Sequence, residues 1–324
     1  MYKVIFDGSK ETAVHKNVYA ETMHALAQDD PRIILLDADL MNSSGTYGFW
    51  KEMPDQIINV GIAEANMMGI AGGLSAVGRI PYVHTFGPFA SRRSFDQTFI
   101  SIGYAGNSVR IFGSDPGVTA AFNGGTHMPF EDMALMRSIP GAKVFDVADA
   151  VQLKWLLADI KDNTGVTYLR STRKGYLKIY DEGSSFQQGQ ANRLRNGGDA
   201  AIIACGLMVG EAMLAADRLA KEGIDAAVYD MFTVKPLDHA AVLAAAETGA
   251  VITAENHNIY GGLGEAVAAS ILEQGAACAF KRVGVNDRFG QVGAVDYLQK
   301  EYGLTADVLV ETVRAVVAGK RAKP

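Results

Sequence analysis

Two α/β units with mostly parallel sheets are what this sequence predicts, on three observations. Short apolar runs alternate with helical patterns from end to end, as strands flanked by helices do. The chain has 324 residues, enough for two domains of about 150 residues each. Between two such alternating stretches the pattern dissolves into KGYLKIYDEGSSFQQGQANRLRNGGD, residues 174–199, polar and rich in Gly, Ser and Gln.

In the first unit the candidate strands are Ile33–Leu36, Ile57–Val60, Pro81–Phe86, Val109–Phe112, Lys143–Val147 and Val166–Leu169. Helical patterns fall between them, among them Val18–Ala27, Ser91–Tyr104 and Ala150–Ile160. The polar stretch reads as a linker or extended crossover. A second unit follows with strands Ala200–Cys205, Ala226–Met231, Ala250–Thr253 and Phe280–Val285, separated by Ala-rich helices. The expected boundaries are 1–178 for the first domain, 179–195 for the linker and 196–324 for the second domain.

Composition excludes several classes. A net charge of −6 gives no electrostatic case for nucleic acid or an anionic membrane surface. No run of about 18 apolar residues occurs, and the first residues lack an apolar signal core. Two cysteines, Cys205 and Cys278, lack the spacing of a metal site and suit a reducing cytoplasm. No metal site is expected in this chain.

The stretch NVGIAEANMMGIAGGLSAVG, residues 59–78, sets one carboxylate, Glu64, among residues otherwise apolar, small or neutral. A buried carboxylate without a partner costs several kcal/mol or takes up a proton, so Glu64 calls for a partner. Behind it Ala65, Gly69, Gly72, Gly73 and Ala76 form a narrow small-residue face. Such a face suits close helix packing, either within the domain or across a subunit seam.

This stretch resembles the pyrimidine-domain signature of transketolases and related thiamine-diphosphate enzymes. The resemblance extends through LLDADLMNSSGTYGF, HTFGPFASRRSFDQ, GGTHMPFEDMALMRSIP and YLRSTRKG, and in the second unit through TAENHNIYGGLGEAVA. It covers nearly the whole chain in the family's order. The family's GDG motif and following Asn, which bind metal and diphosphate, are not in this sequence. The resemblance therefore implies the C-terminal subunit of a split transketolase. An N-terminal subunit carrying the GDG-type motif would supply the diphosphate site and the Mg2+ or Ca2+. A homodimer core within an α2β2 heterotetramer is the implied assembly, in the cytoplasm.

By the same resemblance, Glu64 is the acid that bonds the aminopyrimidine ring of thiamine diphosphate and promotes loss of the thiazolium proton. Phe86 and Phe89 are the stacking aromatics and Ile62 lines their pocket. His127 stands beside the reacting carbon. Arg173, with Arg92 or Arg93, grips the substrate's anionic end, where guanidinium suits phosphate. His84 and Ser43 are minor contacts there, whereas Glu255 and His257 are structural. Lys16 replaces a family Arg, Ser114 beside Asp115 replaces a His, and Asn123 replaces an acid. The resemblance implies transfer of a two-carbon ketol unit from a phosphorylated or otherwise anionic ketose to an aldose. Because those three positions read hydroxyls and phosphate in the family, a related ketose, branched or with another anionic terminus, is open as well. Two alternatives compete with a ketol transferase: the β subunit of a 2-oxo acid dehydrogenase, and a non-catalytic scaffold subunit.

Overall fold

A computed structural model describes residues 1–321. The strands run in chain order as β1 (Ile33–Asp37), β2 (Ile57–Asn59), β3 (Ile80–Phe86), β4 (Val109–Ser114), β5 (Lys143–Asp146), β6 (Val166–Ser171), β7 (Asn192–Arg195), β8 (Ala200–Ala204), β9 (Ala226–Asp230), β10 (Thr233–Lys235), β11 (Ala250–Asn258) and β12 (Ala279–Val285). They form a seven-stranded sheet, ordered β10-β5-β6-β4-β3-β1-β2, and a five-stranded sheet, ordered β12-β11-β8-β9-β7. Every pairing is parallel except β10 on β5 and β7 on β9. The expected two-unit, mostly parallel architecture is present.

Alternation of side chains along each strand divides the core into two faces. On one face of the first sheet, Leu36, Val83, Ile111 and Tyr168 meet Met67, Met68 and Ala71 of helix Glu64–Ala76. On the other, Leu35, Tyr82, Phe112 and Leu169 meet Tyr19 and Met23 of helix His15–Asp29 and Leu153 and Leu156 of helix Ala150–Asp159. The second sheet is covered in the same way. Ile202 and Val228 face helices Leu207–Ala220 and Ala306–Arg321, while Ile203 and Ala227 face helices His239–Ala246 and Leu263–Glu273.

Three expectations need correction. The stretch 179–195 is not all linker, because Asn192–Arg195 hydrogen-bonds to β9 as an edge strand. Thr233–Lys235, within the expected second domain, is an antiparallel edge of the first sheet. The helical pattern Ser91–Tyr104 is broken into a 3-10 turn at Arg92–Ser94, a single turn at Phe95–Gln97 and a π-helical stretch at Thr98–Tyr104. The hydroxyls of Ser91, Ser94 and Thr98 bond back to carbonyls four or five residues earlier, which competes with regular helix.

The two sheets are joined by a buried charge cluster. Arg170, fully buried on β6, donates to Asp132 Oδ1 at 2.9 Å, to Asp146 Oδ2 at 2.9 Å and to the carbonyl of Asn256 on β11 at 3.1 Å. Arg137 of the first unit donates to the carbonyls of Gly261 and Gly262 of the second. Glu255 accepts the N–H groups of Leu263 and Gly264 at 2.7 and 2.8 Å, capping a helix, and His257 is fully buried beside it. Among the described residues no helix is long and apolar enough to cross a membrane.

Candidate active site

In open parallel sheets, ligands gather at the carboxyl ends of the strands. Here β1, β3, β4 and β6 end side by side, with Phe86 in register with Ser114 and Ser114 with Ser171. Glu64 is brought to this edge by the loop that leaves β2. Asn59 accepts the N–H of Gly61 at 2.9 Å, and Gly61 sits at φ +71°, where a side chain would be strained. The chain then enters helix Glu64–Ala76 with Glu64 as its first residue, 3 % exposed. Its Oε1 accepts Arg93 Nη1 at 2.8 Å, and Oε2 takes no hydrogen bond among the described residues.

Phe86 closes β3 and Phe89 follows on a single turn, Gly87–Ala90. Their ring centroids lie 6.3 Å apart, and the His127 ring meets both edge-on, at 5.6 and 5.1 Å. His127 stands on the turn Gly125–His127, its Nδ1 2.9 Å from Thr126 Oγ1. A β-carbon on Gly125 would lie 2.3 Å from the carbonyl oxygen of Gly290, so a loop of the second unit braces this turn backbone to backbone. Burial, and then the guanidiniums of Arg93 and Arg173, hold the His127 imidazole below its usual range. It is therefore neutral at pH 7, able to donate or accept at Nε2.

Arg173 donates its backbone N–H to Asp115 Oδ1 at 2.9 Å and its Nε to Asp115 Oδ2, and its guanidinium lies 4.8 Å over the Phe86 ring. Burial raises the Asp115 carboxyl, with Arg173 opposing. A cleft of about 460 Å3 opens here, lined among others by Lys16, Ser43, Asp115, Asn123, Arg173 and Lys174.

One cluster thus holds Glu64, Arg93, Phe89, His127, Phe86 and Arg173, linked in that order. Ser43 lines the adjoining cleft. The remaining candidates lie elsewhere. Arg92 donates to Glu131 at 2.9 Å and to the carbonyl of Thr126 at 3.0 Å, clasping the His127 turn from outside. His84 is buried between Asp37, at 3.3 Å, and Ser114, at 3.1 Å. Ile62 is 76 % exposed and stands two residues before the helix that begins at Glu64. Arg93, read as a grip for an anion, is held on Glu64. Asp115, marked in the sequence only as the neighbour of Ser114, enters the site as the partner of Arg173, and Glu131, which no local motif signals, holds Arg92 beside the His127 turn.

The site fits a flat, nitrogen-bearing ring. A buried carboxylate that can accept an N–H, joined through Arg93 to two aromatic rings and a neutral histidine, suits a heteroaromatic amine. Fold and site together define a chain of two α/β units with its candidate site at the carboxyl edge of the first sheet. The family model "Transketolase, pyrimidine binding domain" matches residues 12–178, and "Transketolase, C-terminal domain" matches residues 189–309. The chain belongs to the transketolase family. It is 47% identical to the 6-deoxy-6-sulfo-D-fructose transketolase subunit SqwH of Clostridium sp. (strain MSTE9), covering 94% of this chain and 95% of that one. It is 35% identical to a putative transketolase C-terminal section of Methanocaldococcus jannaschii, over 94% and 97% of the two chains. Human transketolase is 33% identical over 93% of this chain, which spans about half (49%) of that enzyme's length. Among solved structures, a split gene transketolase in an inactive beta4 tetramer superposes with a TM-score of 0.87 at 37% identity, covering 95% of this chain and 99% of that one.

Proposed function

We propose that this chain is the C-terminal subunit of a split, thiamine-diphosphate-dependent transketolase that moves a two-carbon ketol unit from an anionic ketose to an aldose. The observation that carries the reading is Glu64, a buried carboxylate with one oxygen unbonded among the described residues, linked through Arg93 to Phe89 and from there to His127 and Phe86. When bound, the cofactor supplies the carbanion-stabilising thiazolium. Glu64 would hold a proton at the pyrimidine nitrogen, Phe89 would carry the ring face, and Phe86 and His127 would wall the pocket. Neutral His127 would pass a proton to or from the substrate oxygen nearest the reacting carbon.

The sugar's charged end would lie in the cleft of Lys16, Ser43, Arg173 and Lys174. With a relative named for a sulfonated fructose at 47% identity, a terminal sulfonate is the anion we assign there, in place of phosphate. Diphosphate and metal would be held mainly by an N-terminal-type partner subunit. The glycines Gly69 and Gly73, where an added β-carbon would meet no described atom within 4 Å beyond the helix's own backbone, suit the seam of a homodimer core within an α2β2 assembly.

Reconstitution tests the whole reading. The isolated chain should turn over no ketose, and the complex with its partner should transfer ketol from 6-deoxy-6-sulfofructose to glyceraldehyde 3-phosphate. In that complex Glu64→Gln should lose kcat by about 10²–10⁴-fold while KM changes little, as for an acid–base group. Full activity of the isolated chain, or a Glu64→Gln complex as active as the parent, refutes it.

A further inference from the structure

The partner of Glu64 in this chain is a side chain that resembles the proposed cofactor ring in shape and chemistry. The Arg93 guanidinium is planar, carries N–H donors on its edge, and lies 3.8 Å over the Phe89 ring while donating to Glu64 Oε1 at 2.8 Å. Stacking on Phe89 and an N–H bond to Glu64 are the two contacts proposed above for the aminopyrimidine. We propose that Arg93 is an internal stand-in for that ring: it occupies the pyrimidine place while the site is unloaded, and the entering cofactor displaces it. This rests on the cofactor reading of the site, and adds to it a residue that competes with the cofactor.

The two partners of the pair differ in what they need. Glu64 is 3 % exposed and Arg93 is 44 % exposed at the side chain. A carboxylate that deep needs a donor at all times, because an unpartnered buried charge is costly. The guanidinium needs none, since it can turn into water with its charge still solvated. An exchange of donors on Glu64 is therefore feasible in one direction: Arg93 leaves as the ring arrives, and the carboxylate is never left bare. Among the described residues Arg93 makes no other hydrogen bond or ion pair. Its neighbour Arg92 is tied to Glu131 and the Thr126 carbonyl, whereas Arg93 has Glu64 and the Phe89 face. The arrangement keeps the acid at the start of the helix neutralised until the cofactor comes, and weakens cofactor binding by the fraction of time the place is taken.

A place filled about nine-tenths of the time weakens apparent affinity about ten-fold, since apparent Kd is the intrinsic value divided by the open fraction. Calorimetric titration of thiamine diphosphate with Mg2+ into the two-subunit complex reads this directly. Arg93→Ala should tighten binding on the order of ten-fold and speed association, and Arg93→Lys, which keeps charge but not the flat stack, should fall between. In the isolated, unloaded chain, denaturant unfolding of Arg93→Ala, Glu64→Gln and the double variant should show coupling between the two positions. A parent complex that binds while Arg93→Ala binds equally or more weakly overturns the stand-in alone. Additivity of the two substitutions in the isolated chain overturns it as well. A parent complex that takes up no cofactor overturns the cofactor reading together with this inference.

Discussion

Arg173 divides its guanidinium between a buried acid and an open cleft. Its Nε and backbone N–H are committed to Asp115, its two terminal nitrogens take no hydrogen bond among the described residues, and it lines a cleft together with Lys16 and Lys174. A fork fixed at one end and free at the other suits two oxygens of a tetrahedral anion. Arg173→Ala should raise KM for a sulfonated or phosphorylated ketose about ten-fold to a hundred-fold, the worth of a charged hydrogen bond of roughly 1.5–3 kcal/mol. Neutral glycolaldehyde as acceptor should show little change in KM. The comparison is made by steady-state kinetics on the two-subunit complex; an equal effect on both places Arg173 outside the substrate site. At this same scale, Glu64, Phe86, Phe89 and His127 were legible in the sequence because each sits in a short local motif. The Glu64–Arg93 pair was not, since its members are 29 residues apart and meet only when the loop after β3 folds back over the helix.

The turn that carries His127 depends on a neighbour from the other unit. With Gly125 and Gly290 in backbone contact, Gly125→Ala has no flexible side chain to push aside and must move one loop or the other. The expected cost is about 1–3 kcal/mol of stability, as for overpacking, with a fall in kcat from displaced His127; thermal unfolding and kinetics check both. Gly319→Ala, inside helix Ala306–Arg321, where the added carbon meets nothing within 4 Å, should leave the isolated chain's unfolding midpoint unchanged or raised. Elements differ in how plainly the sequence shows them, for a physical reason. Strands such as Ile33–Asp37 and Val166–Ser171 are buried along their whole length and open on the largely apolar stretches IILL and VTYL, which mark them in the sequence. Asn192–Arg195 and Thr233–Lys235 are edge strands, where one side faces outward and Arg, Asn and Lys are tolerated, so no run marks them. The break in 91–104 was hidden because its cause is hydroxyl bonding rather than Gly or Pro.

Across the molecule, buried acids set how stability responds to pH. Burial pushes Asp230 up to about 7 and Glu255 up to about 7, so the folded chain binds their protons more tightly than the unfolded chain does. Their contribution is full below the unfolded carboxyl range and is lost as pH rises toward 7. His257, lowered to about 4 by burial, acts the other way, its contribution being lost as pH falls from 6.5 to 4. With Asp149 also raised to about 6 by burial, the raised carboxyls outnumber the one imidazole, and their balance makes stability fall as pH rises between 5 and 7. Asp230→Asn should flatten the decline of the unfolding midpoint between pH 5 and 7; an unchanged slope refutes the assignment. The same integration shows in the strand that crosses over. Because Thr233–Lys235 completes the first sheet from within the second unit, the halves of this chain are not detachable modules. A protease that nicked the polar stretch between them would cut one bond and release nothing: both fragments would travel together, still sharing a sheet, until the whole molecule unfolded.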